Sequence, residues 1–193
     1  FTNSAVVMST GFVARTKSLV MNYLASNLGG GAIAALALAS KLTEPLERSA
    51  FAGIRLFLFS RTARLYVERN ERALAGLYKM GLCVSFLMLA PLLAWICMNS
   101  TEIVRAFFAR GEFTADMTVL VAATLIGLTP SVLFLGVNQL LSNAFYAMDR
   151  VKVPALVMPG GTIVYVAAAV PLSHWLGTQG LALATTLTSA AVF

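Results

Sequence analysis

The sequence predicts an all-α, polytopic membrane protein. Three observations carry that expectation. Apolar residues make up 59% of the chain, charged residues only 11%, and the mean hydropathy is +0.81; soluble domains carry about a quarter charged residues. Long stretches hold no charge at all: residues 80–98, residues 117–148, and residues 153–193 apart from His174. Roughly twenty apolar residues cross the hydrocarbon as a helix. Most of the basic excess behind the net charge of +6 sits within predicted spans or in the short loops between them, which argues against nucleic acid and for a bilayer setting.

Six spans follow in order. The first covers about residues 2–24 and ends in Ser26-Asn27-Leu28-Gly29-Gly30-Gly31, where glycines stop a helix. The second covers about 32–66, which is ~52 Å of helix. Pro45 inside it predicts a break there, because proline lacks an N–H and clashes with the preceding turn. The third covers about 74–98. Residues 101–109 then form a short amphipathic segment at the interface. The fourth covers about 117–148, bent near Gly127 and Pro130; the fifth about 154–172; the sixth starts near 180. His174 falls in the outer loop between the last two. The chain does not begin with Met and stops at Phe193 within an apolar run, so we expect one domain, residues 1–193, that is part of a longer protein. Cys83 and Cys97 lie ~21 Å apart on one helix and read as small buried hydrophobes rather than a disulfide.

Loop charges set the orientation. Arg61, Arg64, Arg69, Arg72 and Lys79 join spans two and three, and Arg150 and Lys152 join spans four and five. The opposite loops hold only Arg105 and Arg110, offset by Glu102, Glu112 and Asp116. The first group is therefore expected in the cytoplasm.

The charges inside the spans point to function. Lys41, Glu44, Arg48 and Arg55 stand at i, i+3, i+7 and i+14, one helical face that drifts only ~20° per heptad. Glu44 and Arg48 are placed to pair, whereas Glu47 points to a different neighbour. On the first span Arg15 and Lys17 lie near mid-depth, Arg15 continuing through Ser18 and Asn22 as a polar face. A cation at the bilayer centre costs at least ~2.5 kcal/mol and marks a functional site unless it snorkels or pairs. Arg15, Lys17, Lys41, Arg48 and Arg55 against Glu44 and Glu47 leave a net positive interior, whose fitting occupant is an anion. Asn138, Gln139, Ser142 and Asn143 form two i, i+4 pairs on the fourth span, suited to helix–helix hydrogen bonds or to lining a polar cavity. No metal-ligand cluster, paired catalytic acids or phosphate loop after a strand is visible. Neither an enzyme, a resident cofactor nor a metal site is expected.

The loops carry a family resemblance. Phe107-Phe108-Ala109-Arg110-Gly111-Glu112-Phe113-Thr114 resembles the "LF-x-RG-x-FT" stretch of the MviN/MurJ-type lipid II flippases. Ala144-Phe145-Tyr146-Ala147-Met148-Asp149 with Pro154 resembles their "AFYA…D…TP" turn, and Gly180-Leu181-Ala182-Leu183-Ala184-Thr185 the start of a later span. The resemblance covers the whole chain. It implies one six-helix lobe, the second, of a two-lobe transporter of the multidrug/oligosaccharidyl-lipid/polysaccharide (MOP) exporter superfamily. It also implies alternating-access movement of an undecaprenyl-pyrophosphate-linked cell-wall precursor across the bacterial inner membrane. The implied partners are that lipid-linked oligosaccharide pyrophosphate, the bilayer and an N-terminal lobe of the same protein, with no nucleic acid.

Lys41-Leu42 occupies the place of the family's "R-L" pair, so the resemblance makes Lys41 the principal substrate residue, with Arg15, Arg48, Lys17, Arg55 and Glu44 around it. Lysine for arginine keeps the charge but gives up bidentate phosphate geometry. Pro45-Leu46-Glu47-Arg48 replaces a "P-x-G" segment with a more charged one. With no acid on the fifth span and Lys17 on the first, no sodium site is expected in this lobe. Two other readings remain open. A drug or cation antiporter of the same architecture would use Glu44 as its titrating acid, and a non-transporting scaffold would pair every buried charge.

Overall fold

The computed structural model describes residues 18–109, 113–148 and 152–191. Within them every regular element is helical: α1 (residues 18–27), α2 (Ala32–Val67), α3 (Glu71–Met98), α4 (Ser100–Phe108), α5 (Ala115–Ala147) and α6 (Lys152–Ala191). Two of these, Glu71–Met98 and Ala115–Tyr146, are long and apolar enough to cross a membrane, with hydropathies of 2.2 and 2.1. The second is 61% buried over its most apolar window and the first only 28%, so α5 is the central post and α3 an outer one. α2 carries too many charges to pass such a test.

The turn from α1 to α2 uses Gly29 (φ 101°) and Gly31 (φ 96°), left-handed positions where a Cβ would be strained. Gly31 also lies directly against Met117 at the start of α5. From there α2 and α5 run parallel and in close contact, the most extensive pairing in the fold. Phe51 lies flat on Gly136. Small residues, Ala35 and Ala39, allow the close approach, and Val121, Leu125, Val132 and Leu140 fill the seam. A second apolar cluster joins Ala25 of α1, Ala32 and Leu36 of α2, and Tyr165, Ala169, Leu181 and Ala184 of α6.

Three sequence expectations need correction. The break near Pro45 is absent, and α2 continues unbroken for 36 residues, ~54 Å. The proline ring sits on an exposed face, while Ala39, Thr43 and Phe51 on either side are buried. Packing thus clamps both flanks of the site where a backbone bond is missing. The outer loop around residues 173–179 is reduced to one residue. Gly177 (φ 60°, ψ −132°) reverses the chain inside α6, and His174 and Trp175 are exposed and helical beside it. The two arms close so tightly that a side chain at Gly180 would strike the Leu172 carbonyl. Cys83 is exposed and Cys97 intermediate, not buried, because α3 buries a single face, Gly81, Ser85, Leu89, Leu93 and Ile96; Cys83 falls opposite to it and Cys97 on its flank.

α4 forms where an amphipathic segment was expected, with Val104 buried and Phe107 exposed. It docks on α5.

Candidate functional site

α2 is the element that positions the charges. Its buried side turns toward α1, α5 and α6 and, in its second half, toward α3, so residues on the opposite side are left outside the packed lobe. Lys41, Glu44 and Arg48 are exposed and Arg55 is half-buried. Arg48 Nη2 donates to Glu44 Oε2 at 3.5 Å, and their side chains are 80% and 59% exposed. That is the acid-first i, i+4 pair expected from the sequence. Lys41 behaves differently. Among the described residues no carboxylate comes within 4.0 Å of it or of Arg55. Arg15 and Lys17 lie outside the described residues.

Behind the stripe is a groove of about 270 Å³ between α1, α2, α5 and α6. Glu44 and Glu47 both border it, beside Ser40 and Thr43 of the same helix. Ser18, Ser131 and Thr185 supply hydroxyls from the other three helices. Glu47 therefore shares a neighbourhood with Glu44 instead of facing a separate partner: three residues apart, the two acids are only ~60° apart around the helix. No single sequence pattern marks the groove, because Ser18, Ser131 and Thr185 stand in three unrelated contexts, beside Lys17, Pro130 and Thr186.

Further along α2, Arg55 and Asn143 border an open surface depression together with the exposed Ala52, Leu56 and Phe59. The amide nitrogen of Asn143 is buried without a hydrogen-bond partner. Asn138 plays the other role open to this cluster: its Nδ2 donates to the Ser189 carbonyl at 2.8 Å, tying α5 to α6. Thr186 Oγ1 donates to the Gly127 carbonyl at 2.8 Å in the same seam. Among the described residues no three His, Cys, Asp or Glu side chains gather closely enough to hold a metal ion.

The arrangement can therefore do two things chemically. A line of cations on one face can receive a multivalent anion, and an acidic hydroxyl-lined groove behind it can receive a small cation or a proton.

Comparison with known proteins bears on the choice. The family model described as "Lipid II flippase MurJ" matches residues 3–193. A curated relative from Burkholderia cenocepacia, described as a lipid II flippase MurJ, is 28% identical over 177 residues. That match covers 89% of this chain but only 33% of the relative, so the chain spans about a third of its length. A solved structure of lipid II flippase MurJ in an inward closed conformation superposes with a TM-score of 0.82 at 21% identity. It covers 95% of this chain and 39% of that one. An outward-facing multidrug-resistance MATE transporter of the MOP superfamily gives 0.78 at 18% identity, over 98% and 41%. At those identities the two structures speak to fold alone.

Proposed function

We propose, from the premise that this chain belongs to the MurJ family of lipid II flippases, that it is one six-span lobe of such a transporter in the bacterial inner membrane. Together with a second lobe it would move an undecaprenyl-pyrophosphate-linked cell-wall precursor by alternating access. The observation that carries this reading is Lys41. It is exposed on the open face of α2 with no carboxylate of the described residues within 4.0 Å, and it lies ~14 Å from the outer end of that helix. A charge at that depth is expensive unless it faces water or a counter-ion. A scaffold would have neutralised it, as Glu44 does Arg48.

In this reading the exposed face of α2 faces the partner lobe across a wet cavity. Lys41 binds the pyrophosphate as a point charge, and Arg48 adds a second cation held in place by Glu44. Arg15 and Lys17 belong to the same set by sequence. The polyprenyl tail stays in lipid, where α3 already presents apolar side chains. No step requires bonds to be made or broken, so the protein is a carrier and not an enzyme.

The test is Lys41→Ala in the full-length protein, scored by complementation of a flippase-depleted strain with protein level checked in the membrane. Growth should fail in Lys41→Ala and persist in Lys41→Arg, whose guanidinium keeps the charge and adds bidentate geometry. Normal growth of the alanine variant at normal protein level would sink the assignment.

A second reading, cation-coupled export in the same architecture, is favoured by the groove that Glu44 and Glu47 share with Ser18, Ser131 and Thr185. It predicts that Glu47→Gln abolishes transport while leaving substrate binding intact.

A further inference from the structure

The side of α2 turned away from Lys41 and Arg48 carries a second group of cations that the transport reading does not use. Arg61 and Arg64 stand 20 and 23 residues beyond Lys41, roughly 140–160° around the helix from it. There they border a groove between α2 and α3, with Glu68 on their own helix and Ala73, Gly76 and Met80 opposite. Toward the middle of both helices the groove becomes an apolar trough bordered by Gly53, Phe57, Gly81 and Val84. Leu77 and Met80 border both stretches, so the groove is continuous along the hairpin. It is wider at the basic end, about 420 Å³ against about 260 Å³ in the trough.

Two contacts fix the floor. Thr62 and Tyr78 share a hydrogen bond of 2.7 Å, and the buried Leu58 lies against Gly81. The polar and apolar stretches meet where the Arg61 guanidinium lies 5.3 Å from the centre of the Phe57 ring, a stacking distance for a cation on an aromatic face. No carboxylate of the described residues comes within 4.0 Å of Arg61. Arg64 donates to Glu68 at 2.9 Å, but both side chains are largely exposed and such a pair is weakly held. Arg72 and Lys79, exposed on α3, flank Gly76 within ~60° around that helix. Arg61, Arg64, Arg72 and Lys79 thus outweigh Glu68 at the mouth of the groove.

Two glycines point to an occupant. Gly53 and Gly76 lie inside helices, where glycine is less favourable than alanine. Neither has a positive φ, and a Cβ at either would meet nothing within 4 Å. Neither backbone geometry nor packing among the described residues uses the missing side chain. What both positions do is keep the groove open, Gly53 along the trough and Gly76 at its mouth. Depth agrees. Arg61 and Arg64 lie ~5–9 Å from the basic-loop end of α2, and the trough runs ~5–12 Å further in, inside the ~15 Å half of the hydrocarbon core.

We propose that this groove holds an anionic glycerophospholipid of the cytoplasmic leaflet, resident and not transported, with its phosphate between Arg61 and Arg64 and one acyl chain over Gly53. Basic pockets between membrane helices on that side favour anionic headgroups, and guanidinium groups can meet phosphate oxygens bidentately. The lipid ties α3, an outer post with little burial of its own, to α2. The inference is independent of the role given to Lys41.

The test uses the full-length protein in detergent, with phosphatidylglycerol as the probe, phosphatidylethanolamine as its zwitterionic comparison and native mass spectrometry as the readout. The wild type should retain one phosphatidylglycerol about tenfold more tightly than phosphatidylethanolamine. Arg61→Ala/Arg64→Ala should abolish that preference, Arg61→Lys should keep it, and Glu68→Gln should sharpen it. Gly53→Leu should fill the trough and weaken retention of either lipid about fivefold or more. These positions are exposed, so Tm without added lipid should match the wild type in each variant. Lys41→Ala should leave lipid retention unchanged. Wild-type preference in the double arginine variant, or wild-type retention in Gly53→Leu, would overturn the proposal. So would displacement of phosphatidylglycerol by equimolar undecaprenyl pyrophosphate, which would make the groove part of the transport route. Normal growth of Lys41→Ala alongside the expected lipid results would sink the transport assignment alone.

Discussion

The α2–α5 seam fixes the position of α2 and so of the cations on its open face, and its stability can be challenged at one atom. Gly136→Ala introduces a methyl group that collides with three ring atoms of Phe51. Phe51 is fully buried, so the ring has no free space to swing into, and either the side chain or the helix spacing must yield. Overpacking a filled site costs ~1–3 kcal/mol. The better helix propensity of alanine returns up to ~1 kcal/mol. A net loss of about 1–2 kcal/mol is expected, or roughly 3–6 °C in Tm for a unit of this size. Thermal denaturation of the full-length protein in detergent, followed by size-exclusion chromatography, reads that shift. The double variant Phe51→Leu/Gly136→Ala provides the discriminating number. If the two residues share one volume, it should be more stable than the sum of the single losses by ~0.5 kcal/mol or more, as for other contacting pairs. Gly53→Ala is the control, because a Cβ there meets nothing within 4 Å. A Gly136→Ala protein as stable as wild type, or strict additivity in the cycle, would refute the packing argument.

Other outcomes follow from neighbouring contacts. Glu44→Gln should leave stability within ~0.5 kcal/mol, because an exposed ion pair is worth little. It should tighten pyrophosphate binding by freeing Arg48, and titration of the purified protein checks both. Asn138→Leu removes the donor that reaches the Ser189 carbonyl. It should cost ~0.5–1.5 kcal/mol, within the range for interhelical hydrogen bonds in membranes, in the same thermal assay. Gly180→Ala should be more damaging than Gly136→Ala, because its Cβ meets the Leu172 backbone carbonyl, which has no rotamer to change; membrane yield and Tm would both fall.

Much of this architecture is legible in the sequence for a physical reason: a bilayer forces every backbone group into a helix. Apolar length and breaker residues then locate α3, α4 and α5 to within a few residues. The failures are equally physical. Proline signals a lost hydrogen bond, but whether the helix breaks depends on what clamps its flanks, and the burial of Thr43 and Phe51 comes from α5, remote in sequence. Glycine at 177 reads as one more small residue until its positive φ turns the expected loop of residues 173–179 into a reversal. The cysteines read as buried because apolar residues usually are. In this fold the outside is lipid, and hydrophobicity does not distinguish a lipid-facing position from a core one.

The site divides along the same line. Spacing alone groups Lys41, Glu44, Arg48 and Arg55 and pairs Glu44 with Arg48, because those relations are internal to one helix. It could not separate Lys41, which is exposed, from Arg55, which is half-buried beside Asn143 of α5, since that difference is made by α5. Nor could it bring Glu47 to the groove beside Ser18 and Thr185, which come from opposite ends of the chain. The consequence is a division of labour along α2. Its exposed face carries Lys41 and Arg48, and Glu44 and Glu47 border a hydroxyl-lined groove shared with three other helices. Glu44 stands among the cations on the exposed face and Glu47 beside it at the groove, so any motion that turns α2 moves both together. Binding of an anion on one side and of a cation or proton on the other would then be coupled through rotation of a single rod, with Glu44, which belongs to both sides, as the residue whose charge the coupling depends on.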